Sequence, residues 1–375
     1  MAKATDLDAW FATELAKLYA TEPTNSPGIL LGFPVWGEKY IERFARYCMP
    51  TLLAPANAEA LRALNAKILI YTTTADFVSL WRKTWPIERA AIRLEFAYIP
   101  KELLVAPDDQ NHKYLVLGSV ENLLIQRAAR TGMGFHMITP DTIYSDRYFE
   151  RLAGLVGEQE AIAHSCLSAN IDAAAGEIDG YRDGACISIP AATLGDIGWR
   201  HLHQQMTGAV LDGQSIPARS NMMIWRGKDA VHVANPHMNP TWVGPRLCRS
   251  APVLLPTSLD AEIPGLMPGG FYLPAPDDDM VMLELSDDSK SAPVQGGIDD
   301  FVSLCWIQMN FDNRFLPVMR RRTQIPAAHH VDGMNEADID RQHTALVDKI
   351  VADKLETMEG FMIYLSRKHR RMLRQ

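Results

Sequence analysis

A single aspartate follows an apolar segment near the middle of the chain. Residues 134–139 are strand-like, and Pro140 and Asp141 come directly after them. A carboxylate at the end of a strand, facing a crevice of loops, suits a divalent metal, because Mg²⁺ and Mn²⁺ prefer oxygen ligands and can neutralise a diphosphate. Asp141 is therefore a candidate metal ligand, with capping of the next helix as the alternative. Asp146 is a possible second carboxylate, although a Ser-Asp pair that opens a helix more often has a capping role.

A second group of polar residues lies in the segment 231–240, which contains two histidines, two asparagines and two prolines. It follows a strand-like run and is predicted to form a rigid polar loop. His237 could supply a nitrogen ligand to the same metal as Asp141, because imidazole is an acceptable ligand for manganese-like ions. A hydrogen-bonded surface histidine is the alternative. His201 and His203 are predicted on one helix, where residues i and i+2 do not face each other, so they make a poor metal site.

The loop after the first predicted strand offers different chemistry. Pro34, Val35, Trp36 and Gly37 follow a short apolar run, and an aromatic ring beside backbone amides at a helix start could stack on a base and contact phosphates. The chain has no glycine-rich dinucleotide fingerprint, no P-loop and no Gly-x-Ser-x-Gly nucleophile elbow. These absences weigh against dinucleotide oxidoreductases, P-loop NTPases and α/β-hydrolases.

Repeated strand-loop-helix units must position these loops. Apolar runs bounded by turn residues predict strands that end near residues 33, 72, 99 and 139, each followed by a stretch with helical periodicity. Consecutive units of this kind predict an α/β fold with a mostly parallel central sheet and helices on both faces. Because the carboxyl ends of parallel strands share one edge, the polar loops after the first, second and fourth strands should form one crevice, where ligands bind in open α/β sheets.

The remainder of the chain is less regular, and no repeat or flexible linker separates it from the α/β part. We predict an N-terminal helix in residues 1–27, an α/β domain in residues 28–250 and a C-terminal extension, residues 251–375, that packs on this domain. The extension contains a strand-like run at 280–285. It ends in a long amphipathic helix, predicted from Thr344, whose last residues are rich in Lys and Arg.

The composition is that of an acidic globular protein. The 375 residues include 37 Lys and Arg against 45 Asp and Glu, a formal net charge of −8, which argues against nucleic acid as the main partner. Five dispersed cysteines are typical of reduced thiols in a cytoplasm.

The N-terminus does not resemble a signal peptide, and no apolar run is long enough to span a membrane. We expect a cytoplasmic protein, whose basic C-terminal helix would allow peripheral contact with the inner face of the membrane; a solvated helix end is the simpler explanation.

Several segments, taken in order, resemble a known family. They are Leu31-Gly-Phe-Pro-Val-Trp-Gly-Glu-Lys-Tyr40, Pro50-Thr-Leu-Leu-Ala-Pro-Ala-Asn57, Leu69-Ile-Tyr-Thr-Thr73, Pro140-Asp-x-x-x-Ser-Asp146 and the His-rich stretch from Trp225 to Pro240. Their order resembles that of bacterial glycosyltransferase-like proteins of the GT-A fold, the fold of nucleotide-diphosphosugar transferases. The matching segments lie between residues 28 and 245.

The resemblance implies a glycosyltransferase that moves a sugar from a UDP- or GDP-linked donor to a glycan or small-molecule acceptor, in the synthesis of bacterial surface polysaccharide or glycoconjugate. It implies that the donor is held by six residues: Pro34, Val35, Trp36, Thr72, Thr73 and Asp76. Asp141 stands where the family's Asp-x-Asp metal motif ends its strand, although this chain has one carboxylate there instead of two. His237, or Asp146, would complete the shell around Mn²⁺ or Mg²⁺.

An inverting transferase of this kind also needs a carboxylate base near the acceptor hydroxyl. Asp212 and Asp229 are the candidates. The alternative function is non-catalytic: a degenerate domain of this fold that binds a glycan or a partner protein. The single carboxylate at Asp141 and the Asn-Pro-His-Met-Asn-Pro loop at 235–240 keep that alternative open.

Overall fold

The structure is a computed structural model of the full chain. It describes residues 2–104, 112–211, 222–235, 238–251, 270–287, 312–327 and 332–360, with a few single positions between 302 and 309. None of the helices in these ranges combines the length and the apolarity needed to cross a membrane. The described part has a mixed α/β fold built on a six-stranded sheet.

The strands and helices of the described part are numbered in chain order. The strands are β1 (Ile29–Pro34), β2 (Lys67–Thr72), β3 (Arg93–Tyr98), β4 (Gly134–Met137), β5 (Thr142–Tyr144), β6 (Ala161–His164), β7 (Leu167–Asn170), β8 (Arg182–Asp183), β9 (Cys186–Ile187), β10 (Met223–Arg226), β11 (Ala230–Ala234), β12 (Asn239–Val243), β13 (Met282–Ser286) and β14 (Thr323–Pro326). The α-helices are α1 (Ala2–Ala20), α2 (Glu38–Arg43), α3 (Met49–Leu52), α4 (Pro55–Ala63), α5 (Phe77–Arg89), α6 (His112–Thr131), α7 (Tyr148–Leu155), α8 (Ile171–Asp179), α9 (Ala191–Arg200), α10 (Gln204–Thr207), α11 (Pro245–Ser250), α12 (Leu316–Met319) and α13 (Glu336–Ala352).

The central sheet contains the four strands predicted from the first half of the chain. They pair in parallel in the order β3-β2-β1-β4, which confirms the predicted parallel sheet. Two further strands extend the sheet in the order β4-β12-β6, and β12 runs antiparallel to both of its neighbours. The sheet is therefore mostly parallel, with one inserted antiparallel strand.

Helices cover both faces of this sheet, as the alternation of buried residues along the strands requires. In β2, Ile68 and Ile70 belong to the apolar cluster that includes residues of α4, α5 and α7. Leu69 and Tyr71, which point the other way, belong to the cluster formed with α1, α6 and α11. The predicted arrangement of helices on both faces is confirmed.

The insertion of β12 was not predicted, because residues 235–245 contain three prolines and the start of this segment was expected to form a loop after the strand-like run at 229–234. Packing against β4 explains its position. A Cβ atom at Gly134 would lie 1.9 Å from the ring of Trp242, so only glycine at this position allows the indole to lie against the strand. The Trp242 indole N–H donates to the carbonyl of Gln159 at 2.9 Å. Contacts between distant segments therefore place β12 in the sheet.

Two three-stranded sheets complete the described core. In the first, β13 pairs antiparallel with β5 and parallel with β7, which confirms a strand close to the predicted run at 280–285. The second has the order β10-β11-β14. Helix α13 packs on it, and the Trp225 indole N–H donates to the side-chain oxygen of Gln342 at 3.2 Å.

Two helix predictions were wrong in their extent. The helix predicted at 194–206 is interrupted, so that His201 and His203 lie between α9 and α10 instead of on one helix. Helix α10 begins directly after His203, because Nδ1 of His203 accepts the backbone N–H of Gln205 at 3.3 Å and caps this helix. The final helix begins at Glu336 instead of Thr344, because the Asn335 side chain accepts the N–H of Asp338 and caps it. The basic C-terminal residues lie outside the described ranges.

Candidate active site at the carboxyl edge of the sheet

The strand order reverses at β1. This strand pairs with β2 on one side and β4 on the other, and all three are parallel. Such a switch point opens a crevice outside the carboxyl ends of the strands. The loops that begin after Pro34, Thr72 and Met137 all start at this edge, which confirms the predicted shared edge.

Hydrogen bonds join the first two of these loops. The backbone N–H of Gly37 donates to Oδ2 of Asp76 at 3.1 Å, and the hydroxyl of Thr73 donates to the same oxygen at 2.8 Å. Gly37 has φ 78° and ψ 139°, a conformation that essentially only glycine adopts. The loops predicted to hold the donor are therefore adjacent, and Asp76 fixes one against the other.

The predicted donor-binding residues differ in their access to the crevice. The N–H of Val35 donates to the carbonyl of Tyr71 at 2.8 Å, so Val35 continues β1, and its side chain is buried in the core. Thr72 and Thr73 are also buried. Pro34 and Trp36 are partly exposed. Side-chain contacts with a ligand are thus more accessible to Pro34, Trp36 and Asp76 than to Val35 or Thr72.

A cavity of about 660 Å³ adjoins the ends of β2 and β3. This volume is in the range of small-molecule sites. Its wall includes Trp10 and Lys17 from α1, Thr74 from the loop after β2, and Tyr98 and Lys101 at the end of β3. Glu14 and Glu102 also line the opening, and Glu14 is paired with Lys17 at 2.6 Å, so the charges of the wall are balanced. The two aromatic rings suit a planar ligand. Sequence reasoning assigned no role to α1, which lines one side of this cavity.

Asp141 lies in the turn between β4 and β5. The turn is closed by the N–H of Thr142, which donates to the carbonyl of Thr139 at 3.2 Å, and the Asp141 carbonyl accepts the N–H of Leu285 at 2.9 Å. The Asp141 side chain is only 16% exposed. Burial raises the pKa of the Asp141 carboxyl, and a hydrogen bond from Thr139 opposes this increase. Asp141 is therefore a largely buried carboxyl at the carboxyl edge of the sheet, as predicted.

Arg43 provides the counter-charge to this carboxylate. It ends α2, just before a π-helical turn at Phe44–Cys48, a feature that is frequent at functional sites. Its Nη1 lies 3.8 Å from Asp141 Oδ2 and donates to the carbonyl of Leu285 at 3.4 Å. Its Nη2 forms an ion pair with Asp287, which also binds Lys39. A buried cation thus links α2 to the Asp141 turn and to the end of β13.

Glu284 is the second carboxyl of the site. It lies on β13 directly opposite Thr142, one residue from Asp141 in the pairing of β13 with β5. Burial, followed by the negative charge of Asp141, raises the pKa of Glu284 to about 7, against the opposing effects of the Ser286 hydrogen bond and of Arg43. The Ser286 hydroxyl donates to Glu284 Oε1 at 3.3 Å. A carboxyl with this pKa exchanges protons near neutral pH, which is what a general acid or base requires.

Sequence reasoning missed Glu284. The available signal was an acidic residue inside the apolar run Met280-Val-Met-Leu-Glu-Leu285. Such a residue is exceptional in a buried strand, because an isolated ionised carboxyl is costly to bury. Its proximity to Asp141 depends on the pairing of β5 with β13 and is not visible in the sequence.

Comparison with known proteins adds little to this geometry. No protein-family model and no curated protein sequence matches the chain. Among solved structures, a putative glucose-1-phosphate thymidylyltransferase from Bacillus anthracis, in complex with a sucrose, is similar at 12% identity with a TM-score of 0.21. The match covers 40% of this chain and 57% of that one. A similarity of this size supports no functional argument, and the resemblance to GT-A transferases remains a prediction.

Two of the other predicted acidic residues, Asp146 and Asp229, do not join Asp141 and Glu284. Asp146 lies beyond the far end of β5, where its N–H donates to the carbonyl of Ile189 and Asp279 is the neighbouring acid. Burial, followed by the charge of Asp279, raises the pKa of Asp146. Its side chain does not cap α7, so its alternative role in capping is not observed either. Asp229 lies in the turn between β10 and β11, in a different sheet.

The predicted metal site is incomplete in the described residues. Within those ranges, no three His, Cys, Asp or Glu side chains converge as metal ligands. Asp141 and Glu284 supply two carboxyl groups, and Arg43 already lies beside one of them. These residues alone do not fit a Mn²⁺ or Mg²⁺ site. His237 and Asp212 lie outside the described residues, so the metal remains a prediction.

Proposed function

We propose that the protein is a nucleotide-sugar-dependent glycosyltransferase in which Glu284 is the general base. The observation that supports this most directly is the pairing of β13 with β5, which brings Glu284 next to Asp141 in the turn that follows β4. A base with a pKa near neutrality, beside the turn that follows β4, fits the removal of a proton from an acceptor hydroxyl. The nature of the acceptor, a glycan of surface polysaccharide synthesis, comes from the resemblance alone, and the cytoplasmic location comes from the dispersed cysteines.

The donor would lie along the carboxyl edge of the sheet. The nucleoside would occupy the cavity beside β2 and β3, with its base against Trp10 or Tyr98. Adjacent strands are about 4.8 Å apart, so β2 and β4 are separated by about 10 Å. An extended nucleoside diphosphate can bridge this separation, passing Trp36 at the end of β1. Its sugar would then reach Asp141 and Glu284.

In the transfer step, the Glu284 carboxylate takes the proton of the acceptor hydroxyl. The acceptor oxygen bonds to the anomeric carbon, and the bond from this carbon to the diphosphate breaks, so the nucleoside diphosphate leaves with the electron pair. Negative charge then develops on the leaving group, and fixed cations aimed at it stabilise the transition state. Arg43 is such a cation, 3.8 Å from Asp141 Oδ2, and Lys39 binds the same Asp287 carboxylate as Arg43.

Thermal-shift measurements with UDP, GDP and their sugar conjugates test this proposal, each with and without Mn²⁺. A nucleotide should raise the melting temperature of the wild type, and Asp141→Asn should reduce the shift. Asp146→Asn is the matched control, because it neutralises an acid at the other end of β5, and it should respond like the wild type. If no nucleotide stabilises the protein but an oligosaccharide does, the transferase is excluded and the glycan-binding alternative is favoured.

Turnover provides the second measurement. Hydrolysis or transfer of the sugar from the stabilising conjugate should be lost in Glu284→Gln, whereas the nucleotide-induced shift should remain. Loss of both in Glu284→Gln would assign Glu284 to donor binding instead of proton transfer.

A further inference from the structure

Helix α5 presents three large apolar side chains to solvent. Val78, Trp81 and Trp85 are 50%, 44% and 47% exposed, respectively. Their spacing of three and four residues places them in one stripe along the helix. Leu80 and Ile87, on the opposite side of the helix, are buried against the sheet. Two half-exposed tryptophans, one turn apart on a helix that is already packed, are not needed for the fold and indicate an interaction surface.

Positive charge surrounds this stripe. Arg82 and Arg89 are exposed on the same side of α5, and the Arg89 guanidinium lies 5.8 Å from the centre of the Trp85 ring. Arg93 is exposed just after the helix, at the start of β3. In the ranges that the structure describes, none of these three guanidinium groups forms an ion pair. We call Val78, Trp81, Arg82, Trp85 and Arg89 the α5 patch.

A lysine on the same helix differs from the arginines of the patch, because it is paired with acids. Lys83, on the other side of α5, forms ion pairs with Glu42 and Glu38 of α2. In the described part of the chain, two exposed acids lie near the patch: Glu88 is next to Arg89, and Glu38 accepts the hydroxyl of Ser79 at 3.3 Å and is paired with Lys83. The cations that are neutralised therefore face the protein, while those of the patch face outward together with the tryptophans.

We propose that the α5 patch binds the surface of an anionic lipid bilayer. Tryptophan is suited to the boundary between headgroups and acyl chains, because its ring is apolar and its N–H is polar. The planar guanidinium binds phosphate oxygens in pairs, and each cation near an anionic membrane adds attraction. The indoles would reach the boundary with the acyl chains, and the surrounding arginines would bind the phosphates of the headgroups.

A second copy of the chain fits the patch less well. Half of two tryptophans and a valine amounts to on the order of 300 Å² of apolar surface. A stable interface buries about 800 Å² on each partner. In a twofold dimer the patch would also face its own copy, so Arg82 and Arg89 would approach like charges. Binding to an anionic bilayer does not need an apolar contact of about 800 Å², and it does not bring like charges together.

The position of the patch relates it to the candidate active site. Helix α5 begins directly after Asp76, so Val78 lies within one turn of the crevice. Docking through the patch would hold the crevice beside the lipid headgroups. The membrane interaction itself does not depend on the proposed transferase activity, and it can be tested without a substrate.

Co-sedimentation of the full chain with vesicles tests the proposal. We expect binding to vesicles of phosphatidylcholine mixed with phosphatidylserine, little binding to phosphatidylcholine alone, and weaker binding at high salt. The double variant Trp81→Ser, Trp85→Ser should bind the anionic vesicles more weakly, on the order of tenfold or more. Replacing Arg82 and Arg89 with Gln should weaken binding by about fivefold for each arginine.

The matched control is the double variant Leu115→Ser, Tyr181→Ser, which removes exposed apolar side chains, 54% and 37% exposed, from α6 and from the turn before β8. It should bind like the wild type. Unchanged thermal unfolding of each variant verifies folding, since the replaced groups are exposed. The proposal is overturned if the wild type does not prefer anionic vesicles, or if the tryptophan variant binds them equally well. It is also overturned if sedimentation velocity shows a dimer that the tryptophan variant disrupts, while vesicle binding is absent.

Discussion

The guanidinium of Arg43 lies 3.8 Å from the carboxylate of Asp141, and the two side chains are only 8% and 16% exposed. Arg43 also binds Asp287 and the carbonyl of Leu285. This single cation therefore compensates one buried carboxylate and ties three segments of the candidate site together.

Replacing this cation should destabilise the protein. We expect Arg43→Gln to lower the free energy of unfolding by about 2–4 kcal/mol, because a largely buried Asp141 loses its counter-charge. The control is Arg46→Gln, which removes an exposed ion pair with Asp179 and should cost less than about 1 kcal/mol. Urea unfolding of both variants measures the difference, and equal losses would contradict a special role for Arg43.

The pKa of Glu284 predicts a pH dependence of transfer. The base must be deprotonated to act, and the pKa of Glu284 is raised to about 7. We therefore expect kcat/KM to be low in acid and to increase with pH, with the midpoint of the increase near pH 7. Glu284→Gln should lower kcat by about 10²–10⁴-fold and abolish this increase. Asp146→Asn should retain the wild-type profile. If the activity of Glu284→Gln still increases with pH around neutrality, another residue is the base.

The backbone conformation of Gly37 should matter for both stability and nucleotide binding. Its φ of 78° and ψ of 139° are unfavourable for any side chain, although the space that a Cβ would occupy has no other atom within 4 Å. We expect Gly37→Ala to cost about 1–3 kcal/mol through backbone strain alone. It should also weaken nucleotide binding, because the Gly37–Asp76 bond would be lost. Gly154→Ala is the control: its Cβ also meets open space, but α7 accommodates alanine, and stability should be equal or higher.

Two buried histidines lie behind the candidate site. The Nδ1–H of His136 donates to the carbonyl of Met137 at 2.7 Å, and Nδ1 of His164 lies 3.0 Å from the hydroxyl of Thr241. The Nε2 atoms of both rings are buried without partners in the described part of the chain. Burial lowers the pKa of His136 to about 4 and that of His164 to about 3, from an ordinary value of 6.5.

These histidines predict a loss of stability in acid. Below about pH 6.5 the unfolded chain binds protons that the folded protein does not, so the free energy of unfolding decreases as the pH falls toward 4. Each histidine contributes up to about 1.4 kcal/mol per pH unit in this window. His136→Phe should reduce the slope by that amount while preserving the aromatic packing around Tyr144 and Phe149. Parallel slopes for variant and wild type, from urea unfolding across this range, would contradict the assignment.

Local periodicity was sufficient to predict the four parallel strands of the central sheet, although β5 and helix α4 were not predicted. The strands β1 to β4 are apolar runs between turn residues, and each was predicted within one or two residues of its observed end. Parallel pairing then followed from the alternation with helices, and it placed Asp141 at the correct edge. These features depend on residues that are close together in the chain.

The composition of the site depends on contacts that no local pattern encodes. The pairing of β13 with β5 brings Glu284 to Asp141, and the turn of α2 into a π-helical segment directs Arg43 to the same point. The insertion of β12 depends on the fit of Trp242 against Gly134. The sequence by itself determined the four parallel strands β1 to β4, their shared carboxyl edge and one candidate acid there. Only the tertiary structure decided which charges surround that acid, because burial and the register between distant strands set the pKa values on which its chemistry depends.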